Sequence, residues 1–151
     1  MSDLASTVFW HACRRSDLPS IQQHGLLPSA SRSRSKAVYL ADDRFAAENY
    51  ANFDPDTEWV VLEIRGSDLD EQHLSVDDYE FPQFLEGMSD DTMVDLGILP
   101  DQSWWSMNWA ISLKACNQVA YTAVIAPENL RVHELEFASS CTDVATSLAG
   151  L

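Results

Sequence analysis

The spacing of hydrophobic and polar positions changes repeatedly along the chain, which predicts short strands mixed with short helices. Apolar and β-branched residues are dense at 8–13, 37–41 and 58–65, and each of these segments is typical of a strand. A buried strand is predicted over 119–126, and a half-exposed strand of alternating polarity over 130–137. Because these segments do not alternate regularly with helical ones, the pattern favours an α+β fold over a doubly wound parallel sheet.

A first helix is predicted after the first strand. Leu18, Ile21 and Leu26 recur at helical intervals. Gly25 and Pro28 stop this pattern, since both residues are typical of helix ends.

The remaining segments complete the expected order of elements. A second helix is predicted over 44–53, and an amphipathic helix over 103–113 with Ser103 as a candidate N-cap. Between these helices, 69–78 is expected to be a loop with a short strand. The acidic segment 79–99 contains prolines and glycines, which favour short helices and loops.

Three tryptophans stand close together in the predicted amphipathic helix: Trp104, Trp105 and Trp109. They could stack on nucleic-acid bases, pack into the core or form the wall of a pocket. No basic residue follows them until Lys114, so base stacking is the weaker interpretation. We expect core or pocket wall, because large aromatic side chains dominate core energetics.

Length and composition bound the architecture. With 151 residues and 46% hydrophobic content, the chain is expected to form one domain over 1–151, with a loose tail from about 139. It contains no apolar run of about 18 residues, so no membrane partner is expected. Cys13, Cys116 and Cys141 are odd in number and widely spaced, which favours free thiols in a reducing cytoplasm. Neither the cysteines nor the four histidines have metal-ligand spacing, so we expect no metal.

The net charge of −15 is unevenly distributed. Fifteen acidic residues and one basic residue, Arg65, lie between Asp54 and Asp101. Phosphates would be repelled there, which argues against binding of a nucleic-acid backbone across this surface. The segment could instead bind a basic partner or imitate a nucleic acid, or it could simply keep the protein soluble. The early basic residues are candidates for contacting a small phosphate ligand; they are Arg14, Arg15, Arg32, Arg34 and Lys36.

Three aromatic or imidazole side chains fall at positions that predict a pocket. His11 and Tyr39 each lie near the end of a predicted strand, and Tyr50 lies in the helix that follows Tyr39. Together they would suit a flat aromatic ligand with a sugar attached.

Three segments, in this order, resemble the ADP-ribosyltransferase superfamily of diphtheria toxin and the poly-ADP-ribose polymerases. Phe9-Trp10-His11-Ala12 is similar to the His-Gly strand of that family. Val38-Tyr39 with the later Tyr50 is similar to its second strand and the following helix, and Asn117-Gln118 begins a segment similar to the strand with its last signature residue. The resemblance implies split, mostly antiparallel β-sheets with flanking short helices.

The resemblance also implies that the pocket binds NAD. His11 would then hydrogen-bond a ribose hydroxyl of the adenosine half, and the backbone of Ala12 would hold the nicotinamide amide. Tyr39 and Tyr50 would sandwich the nicotinamide ring, because aromatic faces attract a flat cationic ring. The early arginines, Arg14, Arg32 and Arg34, are candidates for pairing with the pyrophosphate.

The largest departure from the family is at Gln118, which stands where the family has its catalytic glutamate. A glutamine keeps the shape but loses the charge that stabilises an oxocarbenium-like centre. Loss of such a contact typically raises the activation free energy by about 3–4 kcal/mol. Ala12 also replaces the usual glycine. Cys116 stands two residues before Gln118, which does not suggest the arginine-modifying branch.

Three interpretations of Gln118 stay open. The protein could be an NAD binder that has abandoned transfer. Another carboxylate, such as Glu128 or Glu134, could do the work, although neither falls at the expected place. The chain could also carry a deliberate Glu→Gln change that disarms a toxic enzyme.

The leading hypothesis is a small mono-ADP-ribosyltransferase of toxin, effector or phage type. It would cleave the nicotinamide–ribose bond of NAD and transfer ADP-ribose to a protein or nucleic-acid acceptor. Its activity would be weakened by Gln118. It would act in the cytoplasm, or after delivery into the cytoplasm of a target cell. The alternative is a non-catalytic acidic protein, an inhibitor or nucleic-acid mimic, that binds a basic partner through 54–101. RNA 2′-phosphotransferase chemistry is least favoured, because the acidic middle of the chain opposes an RNA-facing groove.

Overall fold

In the part of the chain that the structure describes, six antiparallel strands form the centre of the fold. The computed structural model describes residues 3–30 and 36–136, so the predicted tail from about 139 lies outside the described residues. The strands are β1 (Val8–Arg14), β2 (Val38–Ala41), β3 (Trp59–Arg65), β4 (Leu74–Val76), β5 (Gln118–Tyr121) and β6 (Leu130–Glu134). The strands predicted around 8–13, 37–41 and 58–65, and the short strand within 69–78, are therefore confirmed. The α+β class is likewise confirmed.

The sheet has the order β4-β5-β2-β1-β3-β6. β1 pairs with β3 along its whole length, from Val8–Arg65 to Arg14–Trp59. β1 and β2, in contrast, share the single pair Trp10–Ala41. This pair joins two three-stranded halves into one sheet, so the prediction of split sheets is wrong as stated. The strands separate beyond the pair, and this thin seam is where the cavities described below are found.

Among residues 3–30 and 36–136, five short α-helices surround the sheet. They are α1 (Leu18–His24), α2 (Arg44–Glu48), α3 (Glu80–Glu86), α4 (Asp90–Leu96) and α5 (Trp109–Cys116). The helix predicted over 44–53 is present, but its second half tightens into a 3₁₀ turn over Asn49–Phe53. The short helices predicted within 79–99 are confirmed as α3 and α4. No helix among the described residues is both long and apolar enough to cross a membrane.

The two faces of the sheet carry different cores. Alternate side chains of a strand point to opposite faces, so Phe9 and Cys13 of β1 pack into the main core with residues of α1 and α5. Trp10 of β1 points to the other face. There it packs against a smaller cluster that includes Ala47 of α2 and Val61 of β3.

The helix predicted over 103–113 begins later than expected. The segment first forms a 3₁₀ turn over Trp104–Ser106, and α5 starts at Trp109. Asn108 is the N-cap of α5, since its side-chain oxygen accepts a hydrogen bond from the Ala110 N–H at 2.8 Å. The prediction of Ser103 as the N-cap of this helix is therefore wrong.

The tryptophans of this segment differ in environment. Trp109 is 5% exposed and belongs to the main core, as expected. Trp104 packs against a second core cluster, formed where α3 and α5 meet. Trp105 is 68% exposed, so the expectation of core or pocket wall is wrong for that residue.

The last two strands are shorter than predicted. The strand predicted over 119–126 ends at Tyr121, because the chain then leaves the sheet and Ile125 pairs instead with Leu26. Backbone hydrogen bonds of 2.9 and 3.1 Å join these two residues. The strand predicted over 130–137 ends at Glu134.

Gly25 makes the Leu26–Ile125 pair possible. It ends α1 with a φ of +84°, and a Cβ at this position would lie 2.2 Å from the Ile125 carbonyl oxygen. A residue with a side chain would therefore clash with the neighbouring backbone and be strained in φ.

Candidate functional site

Two adjoining cavities open at the seam between β1 and β2. The first has a volume of about 310 Å³ and the second of about 460 Å³. Both volumes lie within the size range of small-molecule sites. They share four lining residues: His11, Ala12, Tyr39 and Trp59.

The first cavity contains the four residues expected to contact the ribose and nicotinamide groups of NAD, together with the residue at the position of the family glutamate. They are His11, Ala12, Tyr39, Tyr50 and Gln118. These residues come from β1, β2, the 3₁₀ turn after α2, and β5, so the fold brings together three regions that are distant in sequence.

The seam fixes the tautomer of His11. Its Nδ1 lies 2.7 Å from the carbonyl oxygen of Tyr39, and a carbonyl can only accept, so Nδ1 carries the hydrogen. Burial lowers the pKa of His11, with the bond to Tyr39 opposing this effect. The neutral ring therefore keeps Nε2 as a hydrogen-bond acceptor, which is the chemistry needed to bind a hydroxyl group.

The two tyrosines are held by different partners. The Tyr39 hydroxyl donates to the Asp78 carboxylate at 2.6 Å. The Tyr50 hydroxyl donates to Oε1 of Gln118 at 3.0 Å. Burial raises the pKa of Tyr50, so its hydroxyl stays protonated and remains a donor at neutral pH.

Gln118 is positioned by the end of α5. Asn117 ends this helix in the left-handed conformation, with a φ of +62°, which asparagine tolerates better than most residues. The next residue, Gln118, starts β5 opposite Ala41. The Ser112 hydroxyl donates to the Gln118 carbonyl oxygen at 2.6 Å and fixes this backbone to α5.

Sequence reasoning missed the segment that closes the cavity after β4. Asp77, Tyr79 and Glu80 line it together with the residues above. Asp77 is fully buried, and its Oδ1 accepts backbone hydrogen bonds from Tyr79 at 2.8 Å and from Glu80 at 2.7 Å. An acid followed by Glu three residues later is a helix-start signature, and it could have marked this turn. Nothing in the sequence indicates which of the fifteen acids between Asp54 and Asp101 face a cavity.

Trp10 and Trp59 were also missed as lining residues. Trp10 lies in the first cavity, and Trp59 borders both. Trp59 sits at the start of β3, opposite Arg14 of β1, and the Arg14 guanidinium lies 5.7 Å from the centre of its ring. The first cavity thus has five large aromatic side chains in its wall, counting Tyr39, Tyr50 and Tyr79.

The early arginines are not all at the site. Arg14 lines the second cavity and pairs with Asp54 at 3.4 Å. Arg15 lines neither cavity and pairs with Glu58 and Glu134. Arg32 and Arg34 lie outside the described residues.

The two carboxylates considered as substitutes for the family glutamate lie elsewhere. Glu134 belongs to β6 and forms an ion pair with Arg15. Glu128 lines a separate cavity of about 100 Å³ that also contains Glu63 and Arg65. Neither residue lines the cavity that contains Gln118, so the geometry does not support that interpretation.

The described cysteines belong to the core. Cys13 and Cys116 are buried free thiols, as expected, and Cys141 lies outside the described residues. Burial, with a smaller effect of Asp17, raises the pKa of Cys13 to about 11. Although Cys13 borders the second cavity, it stays protonated and is a poor nucleophile at neutral pH.

Within residues 3–30 and 36–136, no group of three or more histidine, cysteine, aspartate or glutamate side chains is arranged to hold a metal ion. Comparison with known proteins identifies no family: no family model, no curated protein and no solved structure matches the chain. The chemistry of the cavities must therefore be argued from their own residues.

Proposed function

We propose that this chain is a small mono-ADP-ribosyltransferase that binds NAD across the two cavities. It cleaves the nicotinamide–ribose bond and transfers ADP-ribose to a macromolecular acceptor, with turnover weakened by Gln118. The observation that carries the proposal is the single cavity lined by His11, Ala12, Tyr39, Tyr50 and Gln118.

The charges around the cavities favour one orientation of NAD. The first cavity combines aromatic side chains with the carboxylates Asp77 and Glu80, an environment that attracts the cationic nicotinamide ring. The second cavity is bordered by Arg14 and Asp17. The Arg14 guanidinium pairs with Asp54 at 3.4 Å, and it is the group that suits the negative pyrophosphate. Nicotinamide therefore occupies the first cavity, and the adenosine half extends into the second.

His11 stands between the two halves of the bound NAD. It borders both cavities, and its Nε2 is an acceptor because Nδ1 donates to Tyr39. A ribose hydroxyl can donate to this nitrogen without any change in the protein. The Gln118 amide, which lines the first cavity, supplies a further polar contact but no negative charge.

Calorimetric titration with NAD tests the proposal. The natural chain and Gln118→Glu should both bind NAD, and Gln118→Glu should release nicotinamide about 10²–10³-fold faster. Tyr50→Ala should weaken NAD binding about tenfold, since it removes an aromatic wall. Trp105→Ala is the matched control, because Trp105 is exposed and lines neither cavity. Absence of binding at millimolar NAD would refute the proposal.

A second candidate is the non-catalytic acidic protein that binds a basic partner. One observation favours it: α4 exposes Asp90, Asp91 and Asp95, and beside them Val94 is 75% exposed. Binding to polylysine should then weaken strongly with salt and should fall in a triple Asp→Asn variant of these residues. A complex that survives tenfold more salt would count against this candidate.

A further inference from the structure

Glu80 is an acidic residue in the wall of the cavity that contains Gln118. It is the first residue of α3, is partly buried and lines the cavity together with Tyr50 and Gln118. Within the described part of the chain, no hydrogen bond or ion pair engages its side-chain oxygens. Both oxygens are therefore able to accept a hydrogen bond from a ligand.

The backbone of Glu80 is held rigidly relative to Gln118. Its N–H donates to the buried Asp77 carboxylate at 2.7 Å, and the Asp77 N–H donates to the Ser112 hydroxyl at 3.0 Å. The same hydroxyl donates to the Gln118 carbonyl at 2.6 Å. One buried serine thus ties both cavity residues to α5, which is the kind of fixed support that a reacting carboxylate needs.

The charge of Glu80 acts on the polar groups next to Gln118. Burial is the main cause that raises the pKa of Tyr50, and the Glu80 carboxylate contributes to the same shift. The Tyr50 hydroxyl donates a hydrogen bond to Gln118. The charge of Glu80 therefore acts close to the position at which the resembled family has its glutamate.

We propose that Glu80 is a catalytic residue that supplies the negative charge missing at Gln118. This inference rests on the proposed function, because it assigns a role toward NAD bound in the first cavity. The turnover that remains in a chain with Gln118 then depends on the Glu80 carboxylate. The carboxylate reaches the reacting ribose from α3 instead of from β5.

The reaction step is a heterolytic cleavage. The bond between the ribose C1′ and the nicotinamide nitrogen breaks, and its electron pair leaves with nicotinamide, which becomes neutral. The positive charge passes to the ribose, where the Glu80 carboxylate stabilises it and accepts a hydrogen bond from the 2′-hydroxyl. Water or the acceptor then adds to C1′ and loses a proton to Glu80 and from there to solvent. With water, NAD yields nicotinamide, ADP-ribose and one proton.

Nicotinamide release from NAD by the natural chain and by Glu80→Gln tests this role. The kcat of Glu80→Gln should fall about 10²–10³-fold. The NAD affinity measured by calorimetry should fall far less, because Asp77 and the aromatic wall still attract the nicotinamide ring. Glu86→Gln is the matched control, because Glu86 lies on the same helix but is exposed and outside the cavity. Its kcat should equal that of the natural chain.

The outcomes separate the two proposals. If NAD does not bind to the natural chain, the proposed function fails. If NAD binds but Glu80→Gln turns over within about threefold of the natural chain, the role of Glu80 is overturned and NAD binding stands. If NAD binds but nicotinamide is not released above the buffer background, the role of Glu80 is also overturned, because a chain that contains Glu80 should then turn over. Should Glu80→Gln fail to fold, Glu80→Asp decides: it should lose about tenfold in kcat with binding retained, and an unchanged kcat overturns the role.

Discussion

Replacing Ser112 by alanine tests the link between the core and the cavity. Ser112 is fully buried in α5, where its hydroxyl accepts the Asp77 N–H at 3.0 Å and donates to the Gln118 carbonyl at 2.6 Å. Each buried partner left without its hydrogen bond costs about 1–3 kcal/mol. With two such partners and some relaxation, Ser112→Ala should lower the free energy of unfolding by about 2–4 kcal/mol.

Urea denaturation followed by tryptophan fluorescence measures this loss. Ser75→Ala is the control, because Ser75 is exposed on the short edge strand β4 and should change stability by less than about 0.5 kcal/mol. On the proposed function, Ser112→Ala should also weaken NAD binding, since Asp77 and Gln118 both line the first cavity. A loss no larger than that of Ser75→Ala would refute the reasoning that this hydroxyl holds the cavity together.

Two further predictions concern Gly25 and His11, which both border the second cavity. Gly25→Ala should lower the free energy of unfolding by about 2 kcal/mol or more, since the φ of +84° and the 2.2 Å approach to the Ile125 carbonyl both oppose a side chain. Gly87→Ala, which meets nothing within 4 Å, should be nearly neutral, and equal losses in the two variants would contradict this account. Burial lowers the pKa of His11, so its contribution to stability is present above about pH 6.5 and is lost as the pH falls through the folded pKa. Thermal unfolding should therefore show a steeper loss below about pH 6.5 for the natural chain than for His11→Gln, and parallel pH profiles would contradict it.

Elements that depend on local pattern could be predicted from the sequence. The strands around 8–13 and 58–65 have dense apolar residues, and β1 and β3 are found there. Bounds set by long-range contacts could not be predicted. The strand predicted over 119–126 is shortened because Ile125 pairs with Leu26, about a hundred residues earlier, and no local pattern encodes that pairing.

The candidate site could be predicted in part, because some of its residues are marked by local pattern and others are not. His11, Tyr39 and Tyr50 stand at recognisable positions, near strand ends and in the following helix, and they do line one cavity. Asp77 and Glu80 could not be singled out, because the segment between Asp54 and Asp101 is acidic almost throughout. Only the turn after β4, closed by the buried Asp77, distinguishes them from the exposed acids around them.

The single residue pair between β1 and β2 explains how a small sheet can leave room for a cavity. A fully paired β1–β2 ladder would bring the two strands to the usual spacing of about 4.8 Å and leave no space between them. After the Trp10–Ala41 pair, the His11 side chain donates to the Tyr39 carbonyl where a ladder would have had backbone bonds. Polar backbone groups that are not paired across the seam need water or a ligand as partners. On the proposed function, the amide and ribose hydroxyls of NAD are those partners, so the interruption that weakens the sheet is also what creates its binding cleft.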